Sequence, residues 1–515
     1  MDYHERLLEM ILDGSVRDRK ALQVAKIALS KEFRLGRVPP NSETLARADP
    51  KVLPIVEKLL RRKPVRTLSG VAVVAVMTSP SPCPHGKCSY CPGGIETGSP
   101  QSYTGKEPAA RRALTNEFDP FRQVSSRLRQ LEAIGHPTDK VDLIIMGGTF
   151  TSRPVEYQTL FVQRCFDALN GTESGTLLES QHLNEKALHR CIGMTVETRP
   201  DVFDDWSSAF SMTLGATRVE LGVQILDDEI LKGVNRGHGV DAVVKATRIA
   251  KERGMKVCYH VMPGLPGSDP QKDVDRFAMI FNDERFRPDM IKIYPTLVVK
   301  GTPLYEMWRD GAYSPYSTEE AVQVIAEMKS LVPPYVRIQR IQRDIPVPLV
   351  EAGVDKGHLR QLVRERMQLG DNRCKCIRCR EVGLMGVEAY DRKDVHLNET
   401  SYRASGGTEH FVSFEIPVLG ALVGYARLRL TPSSFEGGPA HLRELKVFGQ
   451  MAPLGDSREA WQHHGYGKEL MEEVERIARE TGSGKVLVTS GVGARQYYAS
   501  LGYDRSGVYM EKPFR

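Results

Sequence analysis

Between residues 70 and 300 the chain repeats one pattern, a short apolar run rich in β-branched residues followed by an amphipathic, charged stretch. Each run is nearly continuous in apolar residues, which is typical of a parallel strand buried on both faces. Six runs are too few for a closed eight-stranded barrel, so the pattern predicts an α/β fold with a partial (β/α)6 barrel. The runs are VAVVAVMT (71–78), VDLIIMGG (141–148), IGMTVET (192–198), TRVELGVQ (217–224), MKVCYHVM (255–262) and MIKIYPTL (290–297).

A loop rich in glycine and proline, SPCPHGKCSYCPGG (81–94), follows the first predicted strand and carries Cys83, Cys88 and Cys91. Functional residues of such folds lie at the carboxyl ends of strands. Three thiolates can hold three corners of a [4Fe–4S] cluster and leave the fourth iron open. The amino and carboxylate groups of S-adenosylmethionine (SAM) can occupy that position. A zinc knuckle completed by His85 is the alternative.

This loop resembles the radical-SAM signature, including the aromatic Tyr90 before the last cysteine. It departs from the commonest spacing, with four residues instead of three between the first two cysteines. The resemblance implies that the glycine pair of GGTF, after the second strand, receives the SAM amino group. It also implies SAM contacts on later strands. The SAM-binding residues expected in this way are Gly147, Gly148, Thr149, Glu197 and Gln224.

From about residue 396 the pattern changes to alternating strands joined by short turns, and Q-x-x-G-x-G (462–467) then leads into a helix. Glycines let a backbone approach phosphates, and the free N–H groups of a helix N-terminus attract negative charge. This arrangement resembles the pyrophosphate loop of GNAT acetyltransferases. The resemblance implies acetyl-CoA contacts from the loop, the preceding strand and a tyrosine near the thioester. These residues are Glu444, Leu445, Lys446, Val447, Gly465, Tyr466, Gly467, Lys468 and Tyr498.

The first 66 residues carry 15 Lys and Arg against 9 Asp and Glu, which accounts for the whole net charge of +6. A basic helical segment is typical of proteins that bind a nucleic-acid backbone. A solvated helix face is the alternative. The candidate tRNA-binding residues are Arg17, Arg19, Lys20, Lys26, Arg61 and Arg62.

Six of the nine cysteines fall in two tight clusters, which indicates metal chemistry in a reducing compartment and not a disulfide framework. The second cluster, Cys374, Cys376 and Cys379, lies between the barrel and the last domain. We expect a structural zinc there, with His358 as a nearby candidate for the fourth ligand. A second iron–sulfur cluster is the alternative. No apolar run is long enough to span a bilayer, and the N-terminus lacks the apolar core of a signal peptide, so we expect a cytoplasmic protein without a membrane partner.

A radical-SAM barrel fused to a GNAT domain, with GSPQSYTGKEPAARRA (98–113), MGGTF, SGVGARQYY and a basic N-terminus, resembles the family of the Elongator catalytic subunit and its stand-alone archaeal and bacterial relatives. The resemblance covers essentially the whole chain. It implies conversion of the wobble uridine of tRNA to 5-carboxymethyluridine, with acetyl-CoA and a SAM-derived 5′-deoxyadenosyl radical. The anticodon stem-loop is then the expected partner. A homodimer and accessory subunits are compatible with it.

The resemblance also implies an acetyl-CoA contact from the barrel, at the lysine that precedes the second strand, Lys140. Lys140 and Tyr498 are therefore the candidate catalytic residues. The expected domains are a basic helical tRNA-binding segment (1–66), a radical-SAM partial barrel (67–330), a linker with the zinc-type cysteines (331–395) and a GNAT domain (396–515). Two other functions stay open, a protein-lysine acetyltransferase with a structural iron–sulfur cluster and a non-catalytic tRNA-binding scaffold.

Overall fold

The structure is a computed structural model that describes residues 1–62, 67–370, 372–387, 390–448 and 465–514. Its N-terminal segment is a small helical module with an apolar core of its own. Asp2 caps the first helix by accepting hydrogen bonds from the His4 and Glu5 backbone N–H groups. The helices are α1 (Tyr3–Leu12), α2 (Arg19–Glu32), α3 (Asn41–Leu45) and α4 (Leu53–Leu60).

A parallel sheet of seven strands follows, in the order β1-β2-β3-β4-β5-β6-β8. It confirms all six strands expected from the apolar runs. The seventh, β8, lies in the segment that the sequence analysis assigned to the linker, so the linker contributes an edge strand to the sheet. The strands are β1 (Ala72–Met77), β2 (Lys140–Met146), β3 (Arg190–Thr198), β4 (Arg218–Gln224), β5 (Lys256–Val261), β6 (Met290–Ile293) and β8 (Arg337–Ile341).

Helices cover the outer face of this sheet, and the outward side chains of the strands are buried against them. Two short strands, β7 (Val298–Val299) and β9 (Val350–Ala352), form a separate pair. The helices from the barrel to the second cysteine cluster are α5 (Pro108–Thr115), α6 (Pro120–Ala133), α7 (Val155–Asn170), α8 (Leu177–Asn184), α9 (Asp205–Thr213), α10 (Asp228–Gly233), α11 (Val240–Glu252), α12 (Pro270–Asn282), α13 (Pro303–Arg309), α14 (Thr318–Ser330), α15 (Leu359–Leu369), α16 (Ile377–Arg380) and α17 (Val382–Met385).

The C-terminal domain is built on a second seven-stranded sheet, in the order β10-β11-β12-β13-β14-β16-β15. Its strands are antiparallel except that β13 and β14 run parallel. The elements are β10 (His396–Ala404), β11 (Gly407–Ile416), β12 (Ala421–Leu430), β13 (Pro439–Val447), α18 (Tyr466–Glu480), β14 (Lys485–Val488), α19 (Arg495–Ser500), β15 (Asp504–Ser506) and β16 (Tyr509–Pro513).

This second domain packs against the amino ends of the barrel strands. Arg443 on β13 donates hydrogen bonds to the carbonyl of Met255, just before β5, and to Asp289, just before β6. A Cβ atom on Gly491 would lie 2.2 Å from the backbone of Ile192 on β3, so only glycine fits at this contact. The motifs that follow the barrel strands lie at the opposite, carboxyl end. Among the described residues, no helix combines the length and the apolar character needed to cross a bilayer.

Candidate functional site

A cleft at the carboxyl end of the barrel contains all three cysteines of the first cluster. Cys88 and Cys91 are buried, and Cys83 is half-buried with its Sγ 3.3 Å from the Thr149 hydroxyl. Burial raises the pKa of the Cys83 and Cys91 thiols above the ordinary value, so loading a metal group here must displace protons. The predicted site is thus brought together from one loop and from the end of β2.

The spacing of the thiols distinguishes the two cysteine clusters. A tetrahedral zinc with Zn–S distances of about 2.3 Å holds its sulfurs about 3.8 Å apart. The ligand atoms of Cys374, Cys376 and Cys379 all lie within 4.8 Å of one another, and among the described residues the thiols of the first cluster form no such close group. The tighter second set therefore fits a single ion, while the three thiols of the first set, which lie farther apart, have the donor chemistry of iron–sulfur ligands.

Most of the expected SAM residues line this cleft. Gly148 and Thr149 enter it from the end of β2, Glu197 from β3 and Gln224 from β4. Gly147 turns the chain: it has φ +131°, and a Cβ atom there would lie 2.0 Å from the Thr78 hydroxyl. Four of the five expected residues therefore lie beside the cysteines. The fifth, Gly147, is needed because no side chain fits at the turn.

Charged side chains that the sequence analysis did not single out line the cleft or lie beside it, with Glu220 and His260 in its wall. The Lys292 ammonium contacts the Glu220 carboxylate and lies 3.7 Å from Glu197. His260 Nε2 lies 2.8 Å from Glu220. Burial alone would raise the pKa of Glu220, but Lys292 and His260 hold it well below its ordinary value. These polar residues alternate with apolar residues along the strands. That alternation was the sequence signal that could have identified them as residues of the barrel interior.

Another group missed from the sequence is the loop after α10, residues 234–237, which holds the cysteine loop in place. The Ser89 N–H donates to the Val234 carbonyl, and the Asn235 amide donates to the Lys87 carbonyl. The buried Arg236 guanidinium lies 3.6 Å from the Cys88 Sγ. Three consecutive residues of this loop therefore contact residues 87–89, which fixes the position of the middle cysteine.

In the C-terminal domain, the pairing between β13 and β14 ends at Leu442 and Val488. Residues 444–447 of β13 are half-exposed, and their backbone groups on the β14 side have no strand beside them among the described residues. This segment contains the residues expected to contact the pantetheine arm, Glu444 to Val447. Glu444 accepts a hydrogen bond from the Arg427 guanidinium at 2.9 Å. An extended strand with a free edge can bind an amide-containing ligand through its main chain.

The helix α18 begins beside this free edge. Gly465 is its N-cap, with φ +81°, and a Cβ atom on Gly467 would lie 2.9 Å from the Tyr497 hydroxyl. The Tyr466 side chain is buried, and its ring centroid lies 4.9 Å from that of Phe414. Lys468 is exposed near Glu472. Gln462, which starts the motif, lies outside the described residues.

Tyr498 on α19 is buried and packs edge-on against Tyr497 and Tyr503. Burial raises its pKa above the ordinary value, and the Tyr497 and Glu444 side chains add to that effect. The hydroxyl is therefore neutral near pH 7, close to the strand end expected to hold the pantetheine arm.

Lys140 begins β2, at the amino end of the barrel. It lies at the end of the sheet opposite to the cysteines, the end at which the C-terminal domain packs. Because parallel strands rise about 3.3 Å per residue, the length of β2 separates it from the cleft by about 20 Å. The two predicted sites therefore occupy the two ends of one barrel.

The second cysteine cluster lies at the junction of the domains, as expected. The Ile377 N–H next to Cys376 donates to the Val336 carbonyl beside β8, and Arg380 forms an ion pair with Glu415 on β11 at 2.9 Å. His358 does not belong to the close group formed by the three thiols.

The basic residues of the N-terminal module separate into two groups. Arg17, Lys20 and Arg62 are exposed, and the exposed Arg19 donates a hydrogen bond to the Arg61 carbonyl. Arg61 is half-buried and pairs with Glu57 at 2.9 Å. Lys26 differs from the prediction: it is buried, and its ammonium donates to Asn41 at 2.6 Å. The Lys26 charge therefore lies inside the module and is not available to a tRNA phosphate.

Four family models match most of the chain between residues 2 and 503. The profile described as the ELP3 N-terminal domain matches residues 2–68, the Radical SAM superfamily 79–278, the Radical_SAM C-terminal domain 288–368 and the Acetyltransferase (GNAT) family 379–503. The chain is 49% identical to a tRNA uridine(34) acetyltransferase of Methanocaldococcus jannaschii, over 99% of this chain and 96% of that protein. The chain belongs to the tRNA uridine(34) acetyltransferase and Elongator complex protein 3 family.

Members of this family are similar from archaea to animals. The human Elongator complex protein 3 is 43% identical, over 95% of this chain and 93% of that protein. A solved structure of the family, the archaeal Methanocaldococcus infernus Elp3 lacking residues 1–46, is 46% identical with a TM-score of 0.77 and covers 87% of this chain and all of that one. The expected architecture of a radical-SAM barrel followed by a GNAT domain is therefore confirmed.

Proposed function

We propose that this protein converts uridine 34 of tRNA to 5-carboxymethyluridine, with acetyl-CoA as the carbon donor and SAM as the source of the radical. The observation that carries the proposal is the joining of two sites in one barrel, a cysteine cleft at its carboxyl end and an acetyl-CoA-type domain at its amino end. Relatives of nearly full length are named tRNA uridine(34) acetyltransferase. A lysine acetyltransferase could use the first site only for a structural cluster and would need no SAM-binding residues beside it.

In this proposal Cys83, Cys88 and Cys91 hold a [4Fe–4S] cluster. When bound, the cluster supplies the electron that cleaves SAM to the 5′-deoxyadenosyl radical. Gly148 and Thr149 receive the amino end of SAM, while Glu197 and Gln224 contact its other polar groups. Tyr103 donates a hydrogen bond to Glu197 at 2.9 Å, which orients that carboxylate toward the cleft.

Acetyl-CoA lies with its pyrophosphate at residues 465–468 and its pantetheine arm along 444–447. Tyr498 and Lys140 are the proposed catalytic residues at the thioester end. The thiols of the second cluster hold a structural zinc that joins β8 to the C-terminal sheet. The anticodon stem-loop binds to the exposed basic residues of the N-terminal module, which packs on the loop before β2 through the Arg62 N–H and the Ile134 carbonyl.

Mass spectrometry of tRNA nucleosides tests this function. Reconstituted protein, SAM, acetyl-CoA, a reductant and unmodified tRNA should yield 5-carboxymethyluridine at position 34. Gly467→Glu should abolish it because a carboxylate repels the pyrophosphate, whereas Gly357→Glu, in open space, should be neutral. Acetylated lysines without a modified nucleoside would support the lysine acetyltransferase function. A wild-type yield of 5-carboxymethyluridine from Gly467→Glu would show that residues 465–468 do not bind the pyrophosphate of acetyl-CoA.

A further inference from the structure

The two sites of the proposed function are too far apart to react without a connection. The cysteine cleft lies at the carboxyl end of β2, and Lys140 with the GNAT domain lies at its amino end, about 20 Å away. Reacting atoms must come within roughly 3–3.5 Å of each other. One of the reactants must therefore cross the length of the sheet.

The side chains on the inner face of β2 are accessible along the whole strand. The outward residues, Val141, Leu143 and Ile145, are fully buried against the helices, whereas the alternate residues are half-exposed. On the neighbouring strand β1, Val73 is 40% exposed and is paired with Asp142. We call the half-exposed set the inner row; it consists of Lys140, Asp142, Ile144 and Met146.

The inner row faces the barrel interior and joins both sites. The Arg218 guanidinium on β4 reaches Asp142 at 3.2 Å, two strands away, so both side chains point into the barrel. At its upper end, Met146 lines the cysteine cleft. Opposite Asp142, β3 carries Gly193, and a Cβ atom there would lie 3.4 Å from the Asp142 carboxylate, so the glycine makes room for that side chain.

The lower end of the inner row meets the strand expected to hold the pantetheine arm. Desolvation lowers the pKa of the Lys446 ammonium on β13, and Asp142 is among the carboxylates that oppose this shift. Burial likewise lowers the pKa of Lys256, at the start of β5, and the Glu444 and Asp142 carboxylates oppose that shift. Arg443, next to Glu444 on β13, donates hydrogen bonds to Asp289 and to the Met255 carbonyl, so this part of β13 lies at the amino end of the barrel, where the inner row begins.

We propose that the pantetheine arm of acetyl-CoA enters the barrel from the GNAT side and runs along the inner row, so that the acetyl group reaches the cysteine cleft from below. This inference rests on the proposed function. The arm is a flexible chain with two amides, of a length comparable to the strand. Carboxylate and ammonium groups at the lower end can bind its amides, and Ile144 and Met146 offer apolar contact to the thioester end.

A disulfide-trapping experiment tests this path without catalysis. In Ile144→Cys, the introduced thiolate attacks the disulfide of oxidised coenzyme A (CoA–S–S–CoA). A new S–S bond forms, the old one breaks, and one CoA thiolate leaves. Intact-mass measurement and peptide mapping on the cluster-loaded protein should place a single CoA adduct at position 144. Its rate should exceed that with glutathione disulfide at least ten-fold, and excess acetyl-CoA should suppress it.

Leu160→Cys is the matched control, because Leu160 is 59% exposed on the outer helix α7. This variant should react with both disulfides at similar rates. If Ile144→Cys also shows no preference for CoA disulfide while calorimetry still detects acetyl-CoA binding, the inner row is not the path. Loss of acetyl-CoA binding in the unaltered protein would instead contradict the proposed function.

Blocking the row gives an independent outcome. Ile144→Trp should lower the yield of modified tRNA at least ten-fold while acetyl-CoA affinity and iron content stay within two-fold of wild type. Leu160→Trp, which places the same bulk on the outer helix α7, is the control and should retain the activity. Normal modification by Ile144→Trp would overturn the proposal.

Discussion

At the scale of single residues, the stability of the barrel interior depends on charged side chains that stabilise one another. Glu220 is fully buried between Lys292 and His260, and the Arg218 guanidinium lies 3.6 Å from its second oxygen. Removing one member of such a set leaves an uncompensated buried charge, which costs more than the set itself contributes. The group is therefore best tested by paired substitutions.

Lys292→Met should lower the free energy of unfolding by about 3 kcal/mol because Glu220 loses its closest cation. Adding Glu220→Gln should recover part of this loss, since the remaining group is neutral. Urea unfolding followed by circular dichroism measures both variants. Equal stability of the single and double variants would show that the ion pair is not the cause.

Cysteine substitutions test the first cluster with a control from the same chain. Cys83→Ala, Cys88→Ala and Cys91→Ala should each reduce the bound iron after anaerobic reconstitution and stop the formation of 5′-deoxyadenosine. Cys165→Ala should keep both, because Cys165 is buried on the outer helix α7. Wild-type cleavage of SAM by any one of the three variants would contradict the cluster assignment.

At the scale of elements, the N-terminal helices show how a charge pattern divides into internal and external parts. α2 places Lys26 toward the module core, where Asn41 binds its ammonium, while Lys20 on the same helix faces solvent. A net charge in the sequence cannot separate these positions, since both residues read as basic helix residues.

Reversing the exposed charges in Lys20→Glu/Arg62→Glu should weaken tRNA binding several-fold at low salt. Released counterions dominate such binding, so the salt slope should fall by about 1 for each phosphate that the variant no longer neutralises. Lys245→Glu, on the outer barrel helix α11, is the control. Filter binding over a salt series measures both, and equal slopes for all variants would make this face ordinary solvated surface.

The sequence predicts strands well where apolar residues run almost continuously and poorly elsewhere. The six apolar runs were recognisable because apolar side chains occupy both faces of those strands, although the inner face of β2 is half-exposed. β8, RIQRI, alternates polar and apolar residues at the sheet edge, and β10 is almost entirely exposed, so neither has an apolar run. Likewise, the cysteine spacing identified the cleft, but Lys140 could be placed at the far end of the barrel only from three-dimensional structure.

At the scale of the whole molecule, buried ions join the two domains into one unit. Asp289 and Lys251 of the barrel meet Glu409, Arg427, Arg429 and Arg443 of the C-terminal sheet, and all six side chains are buried. Arg443 lies between both carboxylates, 2.6 Å from Asp289 and 2.7 Å from Glu409. Such an interface fixes the free edge of β13 against the amino end of the barrel.

Glu409→Gln should therefore destabilise the protein in a pH-dependent way. Burial alone would raise the pKa of Glu409, but Arg443, Lys251 and Arg429 lower it to about 2 from an ordinary value of 4.5. A lowered carboxyl pKa contributes stability above the unfolded value and loses it as the pH falls through the folded one. The difference from wild type should be about 3 kcal/mol at pH 7 and should shrink between pH 4.5 and pH 2.

Glu399→Gln, which breaks a surface pair with His410 on the same sheet, is the control and should cost less than about 1 kcal/mol. Urea unfolding at several pH values decides the matter, because a constant difference from pH 7 to pH 3 would mean that the Glu409 charge does not hold the domains together.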